Sequence, residues 1–190
     1  MNPEEIDRLQ ATASRRLNIG CADVGLAFWT NLDADPLMPA QLHALVPPIP
    51  CEDASLDEIY AGHFLEHLER DAARPFLAEC LRCLVPGGRL GLVVPDTREI
   101  MRRYLAGSID AVEYPGGTWW AMADLDAVCA MFLYSNVQES PHKWSYDETS
   151  LARIMTEAGF VNLAPICRYT DPRIPQGAWY QCGWDGWKPE

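Results

Sequence analysis

The sequence has no run of about 20 apolar residues, which leaves out a membrane-spanning helix. Basic residues are scarce. Fifteen Lys and Arg stand against 27 Asp and Glu, a formal net charge of −12, and such a surface repels nucleic acid and anionic membranes at long range. A neutral or cationic small molecule meets no such barrier. A secretory leader is also missing, since Met1 to Gln10 opens with the polar Asn-Pro-Glu-Glu of a helix start, so the expected compartment is the cytoplasm. The seven cysteines are odd in number and scattered through apolar segments, which excludes a disulfide framework and reads as reduced thiols. Cys80 and Cys83 form a Cys-x-x-Cys, but no second pair completes a zinc site and both fall on the apolar face Phe76-Leu77-Cys80-Leu81-Leu84, so the reading gives core packing and no metal. Internal repeats and low-complexity tracts are absent.

What the 190 residues do contain is an alternation of apolar runs with amphipathic stretches, the pattern of one α/β domain spanning 1–190. It predicts a mostly parallel sheet with helices on both faces, with strands near 16–20, 29–33, 56–61, 88–94, 161–168 and 178–184. A short helix precedes the first strand. The helix over 70–84 presents Ala73, Phe76, Leu77, Cys80, Leu81 and Leu84 on one face, and Pro86-Gly87-Gly88 stops it. Only about nine residues separate the first two strands, fewer than a crossover helix needs, so the usual first helix is reduced to a turn. Pro36 to Pro50 is irregular and rich in proline. Residues 97–144 read as a lid-like insertion with a helix at Thr97–Ala106, a Tyr-Pro-Gly-Gly turn at 114–117 and an aromatic helix from Trp119 to about Leu133.

Residues 17–35 carry the first functional signal. The apolar run ending at Ile19 suits a buried strand, and Gly20 lets the backbone turn without a Cβ in the way of a ligand. Asp33, after Asn31-Leu32, is placed to accept hydrogen bonds from both hydroxyls of a ribose. A competing pattern is His63-Phe64-Leu65-Glu66-His67, the His-x-x-Glu-His of inverted zinc peptidases. It follows a strand and lacks a third ligand on another helix, so Glu66 and His67 read as helix-start and packing residues.

Five segments in order resemble the class I S-adenosylmethionine-dependent methyltransferases: Leu-Asn-Ile-Gly-Cys at 17–21, Asn-Leu-Asp at 31–33, Pro-Ile-Pro-Cys-Glu-Asp-Ala-Ser-Leu-Asp-Glu-Ile-Tyr at 48–60, His-Phe-Leu-Glu-His-Leu at 63–68 and Leu-Val-Pro-Gly-Gly-Arg-Leu at 84–90. Val94-Pro95-Asp96 and His142-Lys143-Trp144 look like the small type-11 members, which act on surface sugars or secondary metabolites. The resemblance implies a Rossmann-like sheet and S-adenosyl-L-methionine as cofactor. It places Gly20, Cys21 and Ala22 against the methionine end through backbone groups, Asp33 on the ribose, and Gly62 and His63 beside the cofactor at the strand ends. Two departures stand out. Ala22 and Val24 replace glycines of the family's turn, and Ala44-Leu45 stands where an acid commonly holds adenine, which leaves backbone groups near Asp53 for that task.

Methyl transfer to an alcohol is an in-line displacement that needs alignment, a dry pocket and a base. His63, His142 and Asp96 are the candidates, with Asp96 equally suited to cap the helix at Thr97. Trp119, Trp120, Phe132, Tyr134, Trp144 and Tyr146 suit a lid over an apolar or sugar-like acceptor. The alternating Trp179 to Trp184 reads as an edge or closing strand able to support a homodimer. The two altered turn positions also admit a non-catalytic accessory protein that keeps the fold.

Overall fold

The computed structural model describes residues 14–108, 141–166 and 178–190, together with the backbone of 112–114 and 117–120. Seven strands form one sheet in the order β3-β2-β1-β4-β5-β9-β8, built from β1 (Arg16–Ile19), β2 (Thr30–Asp33), β3 (Leu42–His43), β4 (Leu56–Gly62), β5 (Leu84–Pro95), β8 (Val161–Pro165) and β9 (Gln181–Trp187). Only β9 runs against its neighbours, pairing antiparallel with both β5 and β8. The strand order reverses between β1 and β4, and open α/β sheets bind ligands beyond the carboxyl ends at such a point.

The strands are apolar on one face because two helices cover it. Leu17, Ile19, Ile59, Ala61, Leu90, Leu92 and Val94 join Ala73, Phe76, Leu77, Cys80 and Cys83 of helix α1 (Arg70–Cys83) and Leu151 and Met155 of helix α3 (Glu148–Ala158) in one core. Helix α3 begins in a capping box between Asp147 and Ser150 and ends at Gly159, whose φ of +111° a glycine adopts without strain. Cys80 and Cys83 are fully buried in this core, as their helical spacing predicts.

Between β1 and β2, residues 20–29 form turns and no helix, as the short spacing requires. Asn31, buried in β2, ties this turn down. Its Oδ1 accepts from the Leu26 amide at 2.8 Å and from Asn18 Nδ2 at 2.9 Å, while its Nδ2 donates to the carbonyls of Leu26 and Trp29 at 3.2 and 3.3 Å. One side chain thus satisfies backbone groups that a helix would have paired internally.

Three expectations change. Trp119 and Trp120 lie on strand β7 (Gly117–Trp120), which pairs antiparallel with β6 (Val112–Tyr114), so the aromatic helix does not start at Trp119. The remainder of that helix, with Phe132 and Tyr134, and the helix before β1 lie outside the described residues. Strand β5 begins at Leu84, which pairs with Leu56, and Pro86-Gly87-Gly88, with Gly87 at φ +73°, forms an irregularity before Arg89 pairs with Glu58. Strand β9 runs three residues later than the alternation suggests and sits between β5 and β8, so it is no edge; the edge on that side is β8.

Candidate functional site

At the end of β1, Gly20 takes φ +70°, and a Cβ there would lie 2.6 Å from the Phe64 ring. The next residues turn their amides toward β2: Gly20 and Cys21 donate to the Leu32 carbonyl at 2.8 and 3.2 Å, and Ala22 donates to Asp33 Oδ2 at 2.8 Å. The side chain of Cys21 is buried. Ala22 adopts φ +47°, a left-handed conformation that costs an L-residue about 1–2 kcal/mol, so alanine in place of the family glycine carries strain here.

Asp33 is half-buried at the end of β2, with Oδ1 accepting from the Asp35 amide at 3.0 Å and Oδ2 from Ala22. Each oxygen keeps a lone pair for a ribose hydroxyl. Gly62 ends β4 in register with Val93 of β5, and His63 follows with φ +50° and its amide donating to the Val93 carbonyl at 2.8 Å. Gly20, Ala22, Asp33, Gly62 and His63 therefore meet at the carboxyl ends of β1, β2 and β4. A cofactor with a ribose and a cationic methionine end fits this set, because the turn spends its amides on β2 and offers carbonyl acceptors and a carboxylate.

Asp53 does not join them. It precedes β4, at the amino ends of the strands, about 20 Å along a seven-residue strand from His63. Its exposed carboxylate accepts from Arg82 Nη1 at 2.7 Å, and the same guanidinium binds the carbonyls of Ile49 and Cys51, so the residue helps clamp residues 49–53 to α1. Neighbours in sequence gave no indication of which edge of the sheet this loop lies on.

His63 is held from both sides. Nδ1 lies 3.1 Å from Glu66 Oε1 and Nε2 lies 3.2 Å from Gln181 Oε1, at the start of β9. Turning the Gln181 amide over would present its NH2 and leave Nε2 an acceptor. Glu66 is only 1% exposed. Burial pushes its carboxyl up, but the imidazoles of His63, His67 and His142 outweigh this and hold it below the ordinary carboxylate range. A narrow cleft beside it, without room for a water molecule, is lined by Glu66, Pro95, Thr97, His142, Trp144 and Tyr146. Buried polar atoms there have no hydrogen-bond partner among the described residues: Thr97 Oγ1, Tyr146 Oη and both Glu66 carboxylate oxygens, the latter with His63 Nδ1 close by. Burial, and then the charge of Glu66, push the Tyr146 hydroxyl up to about 12.

His142 reaches the cleft because the main chain at 143–144 is fixed to the turn after β4, with the amides of Lys143 and Trp144 donating to the Glu66 carbonyl at 2.7 and 3.1 Å. Asp96 caps helix α2 (Thr97–Leu105), its Oδ1 accepting from the Glu99 amide at 3.1 Å; burial pushes its carboxyl up. His63 and His67 do not share one α-helix, since only a short 3-10 turn (Leu65–His67) follows Phe64, and this breaks the spacing an inverted zinc peptidase requires. Glu66 and Gln181 are the residues that sequence reading missed. The three-residue spacing from His63 to Glu66 was the available signal for one; nothing local marks the other.

Residues 17–92 match a family described as "Methyltransferase domain". No curated protein matches the chain in sequence. The fold is similar to that of a SAM-dependent methyltransferase from Archaeoglobus fulgidus, at 13% identity and a TM-score of 0.55, covering 97% of this chain and 92% of that one. It is also similar to phosphoethanolamine N-methyltransferase 2 of Haemonchus contortus in complex with S-adenosyl-L-methionine, at 11% identity and a TM-score of 0.52, covering 98% of this chain and 52% of that one. A third likeness is to the CurJ carbon methyltransferase, at 14% identity and a TM-score of 0.52, covering 92% and 48%. What the chain shares with known proteins is thus a methyltransferase-domain match over residues 17–92 and, throughout its length, a fold similar to that of S-adenosylmethionine-dependent methyltransferases.

Proposed function

We propose that the chain is an enzyme that methylates an oxygen of a small-molecule acceptor, a sugar or secondary metabolite, with His63 as the base. The observation that carries this reading is the imidazole of His63 at the end of β4, fixed between Glu66 and Gln181 next to a cleft of unpartnered hydroxyls. When bound, S-adenosylmethionine supplies a methyl on a sulfonium, the electrophile for in-line attack.

Asp33 holds the ribose, and the turn at Gly20, Cys21 and Ala22, with Gly62 behind it, shapes the methionine end. His63 Nε2 would accept the proton that the acceptor's hydroxyl gives up, while Glu66 at Nδ1 orients the ring and stabilises the imidazolium. His142 lines the same cleft, while Asp96 serves chiefly as the helix cap. The net charge of −12 is consistent with a small acceptor rather than nucleic acid. The chain works as one domain, and the exposed edge at β8 is the place for a homodimer contact.

The test has two parts. Calorimetry with S-adenosylhomocysteine is expected to give binding that Asp33→Asn weakens at least about tenfold, as loss of charge-assisted hydrogen bonds requires. No heat at millimolar ligand would return the chain to the accessory reading. Against a panel of hydroxylated acceptors, His63→Asn is expected to lower kcat by about 10²–10⁴-fold at neutral pH, with cofactor affinity kept. An unchanged kcat would remove His63 as the base.

A further inference from the structure

Glu66, His67 and His142 are brought together from two separated parts of the chain, and each offers one ligand atom within 4.8 Å of the others. We infer that these three residues bind a divalent transition-metal ion of the zinc class, which ties the segment returning at residue 142 to the turn after β4. The site does not depend on which acceptor the enzyme uses.

Four features point the same way. First, Glu66 is a buried carboxylate that has His63 Nδ1 at 3.1 Å from Oε1 and, among the described residues, no other side-chain or backbone donor aligned on its oxygens. An ionised carboxylate taken out of water costs several kcal/mol unless a cation compensates it. Second, the imidazoles of His67 and His142 meet edge to face at 4.8 Å between ring centroids and 74° between planes, so they are neighbours on one side of that carboxylate. Third, the main chain fixes the spacing independently of the side chains, since the amides of Lys143 and Trp144 both donate to the Glu66 carbonyl. Fourth, two imidazoles and one carboxylate form the donor set of zinc with an open fourth position, whereas calcium and magnesium take oxygen ligands. Closing on a metal draws the ligand atoms inward from their present spread, a movement of side-chain torsions on a fixed backbone. His63, beside the ligating carboxylate, then stands as the outer partner that orients it.

Protonated imidazoles offer a rival way to balance Glu66, and the experiment separates the two. The full chain, stripped with chelator, is dialysed against zinc and analysed for bound metal, and Co²⁺ is added in parallel to read tetrahedral ligand-field absorption. The expected result is about one zinc per chain, a visible Co²⁺ band and a raised melting temperature for the wild type and for His43→Ala, the exposed histidine on β3. His142→Ala, His67→Ala and Glu66→Gln are expected to lose at least about nine-tenths of the bound zinc and the Co²⁺ band. Magnesium should leave the melting temperature unchanged. Circular dichroism and S-adenosylhomocysteine binding of His142→Ala establish that this variant is folded. The inference is overturned if the wild type retains no zinc after dialysis, or if zinc survives undiminished in both histidine variants. A melting temperature that falls in His142→Ala while the wild type binds no metal also overturns it, in favour of protonated imidazoles.

Discussion

The face of the sheet under α1 and α3 is filled by Leu17, Ile19, Ile59, Ala61, Leu90, Leu92 and Val94, while the same strands present Asn18, Asn31, Glu58, Tyr60, Arg89 and Asp185 on the other face. Burial alone does not separate them, because Asn18 and Tyr60 are as inaccessible as Leu90. Pairing does. Arg89 joins Glu58 of β4 to Asp185 of β9, and Arg16 of β1 reaches Glu58 at 3.5 Å, so one row of charges crosses four strands. The apolar face holds by area and shape, and contributes most of the stability. The polar face makes register-specific bonds whose value is mainly that their loss is costly.

The largest effect should therefore come from the apolar side. Phe76→Ala removes a fully buried ring packed 5.2 Å from Phe64 and is expected to cost about 4 kcal/mol in urea unfolding, with cofactor affinity retained while the protein is folded. Asn31→Ala attacks the other face. It leaves the Leu26 amide without its acceptor and is expected to cost about 2–3 kcal/mol, together with a loss of S-adenosylhomocysteine affinity, because the turn it secures is the one proposed to shape the cofactor's methionine end. If Phe76→Ala lowers cofactor affinity as much as Asn31→Ala does, the division between a stabilising face and a positioning face fails.

Ala22→Gly sharpens the comparison from the opposite direction. Relief of the left-handed strain is expected to stabilise the protein by about 1 kcal/mol in thermal unfolding, and a destabilisation would mean that the methyl packs usefully. Tyr146→Phe is the smallest change, removing an orphaned hydroxyl and shifting stability by less than about 1 kcal/mol at neutral pH. Its signature lies in alkali. A phenol raised to about 12 contributes stability that is complete below pH 10 and lost as the pH climbs through 12, so the variant should show a flatter alkaline limb of the stability profile.

Much of the fold was legible because buried parallel strands read as apolar runs and α1 shows its face every third or fourth residue. The convergence of Gly20, Asp33 and Gly62-His63 at the carboxyl ends of the strands was legible where chemistry and chain order coincide. It was not legible where three-dimensional placement decides. Asp53 looks like a cofactor residue until β4 puts it at the far edge of the sheet, and Glu66 looks like a helix-start residue until residue 142 returns above it. Ala22 takes a positive φ while its amide bonds to Asp33, and no neighbouring residue type announces this.

The replacement of a helix by the turn at 20–29 has an electrostatic consequence. In dinucleotide sites of related folds, the first helix points its positive amino terminus at a pyrophosphate, and that dipole is part of the binding. A sulfonium with an ammonium group gains nothing from a positive helix end and is opposed by one. Loss of the helix therefore removes an unfavourable field from a cationic ligand, a deletion that a phosphate-binding site of the same architecture could not have survived.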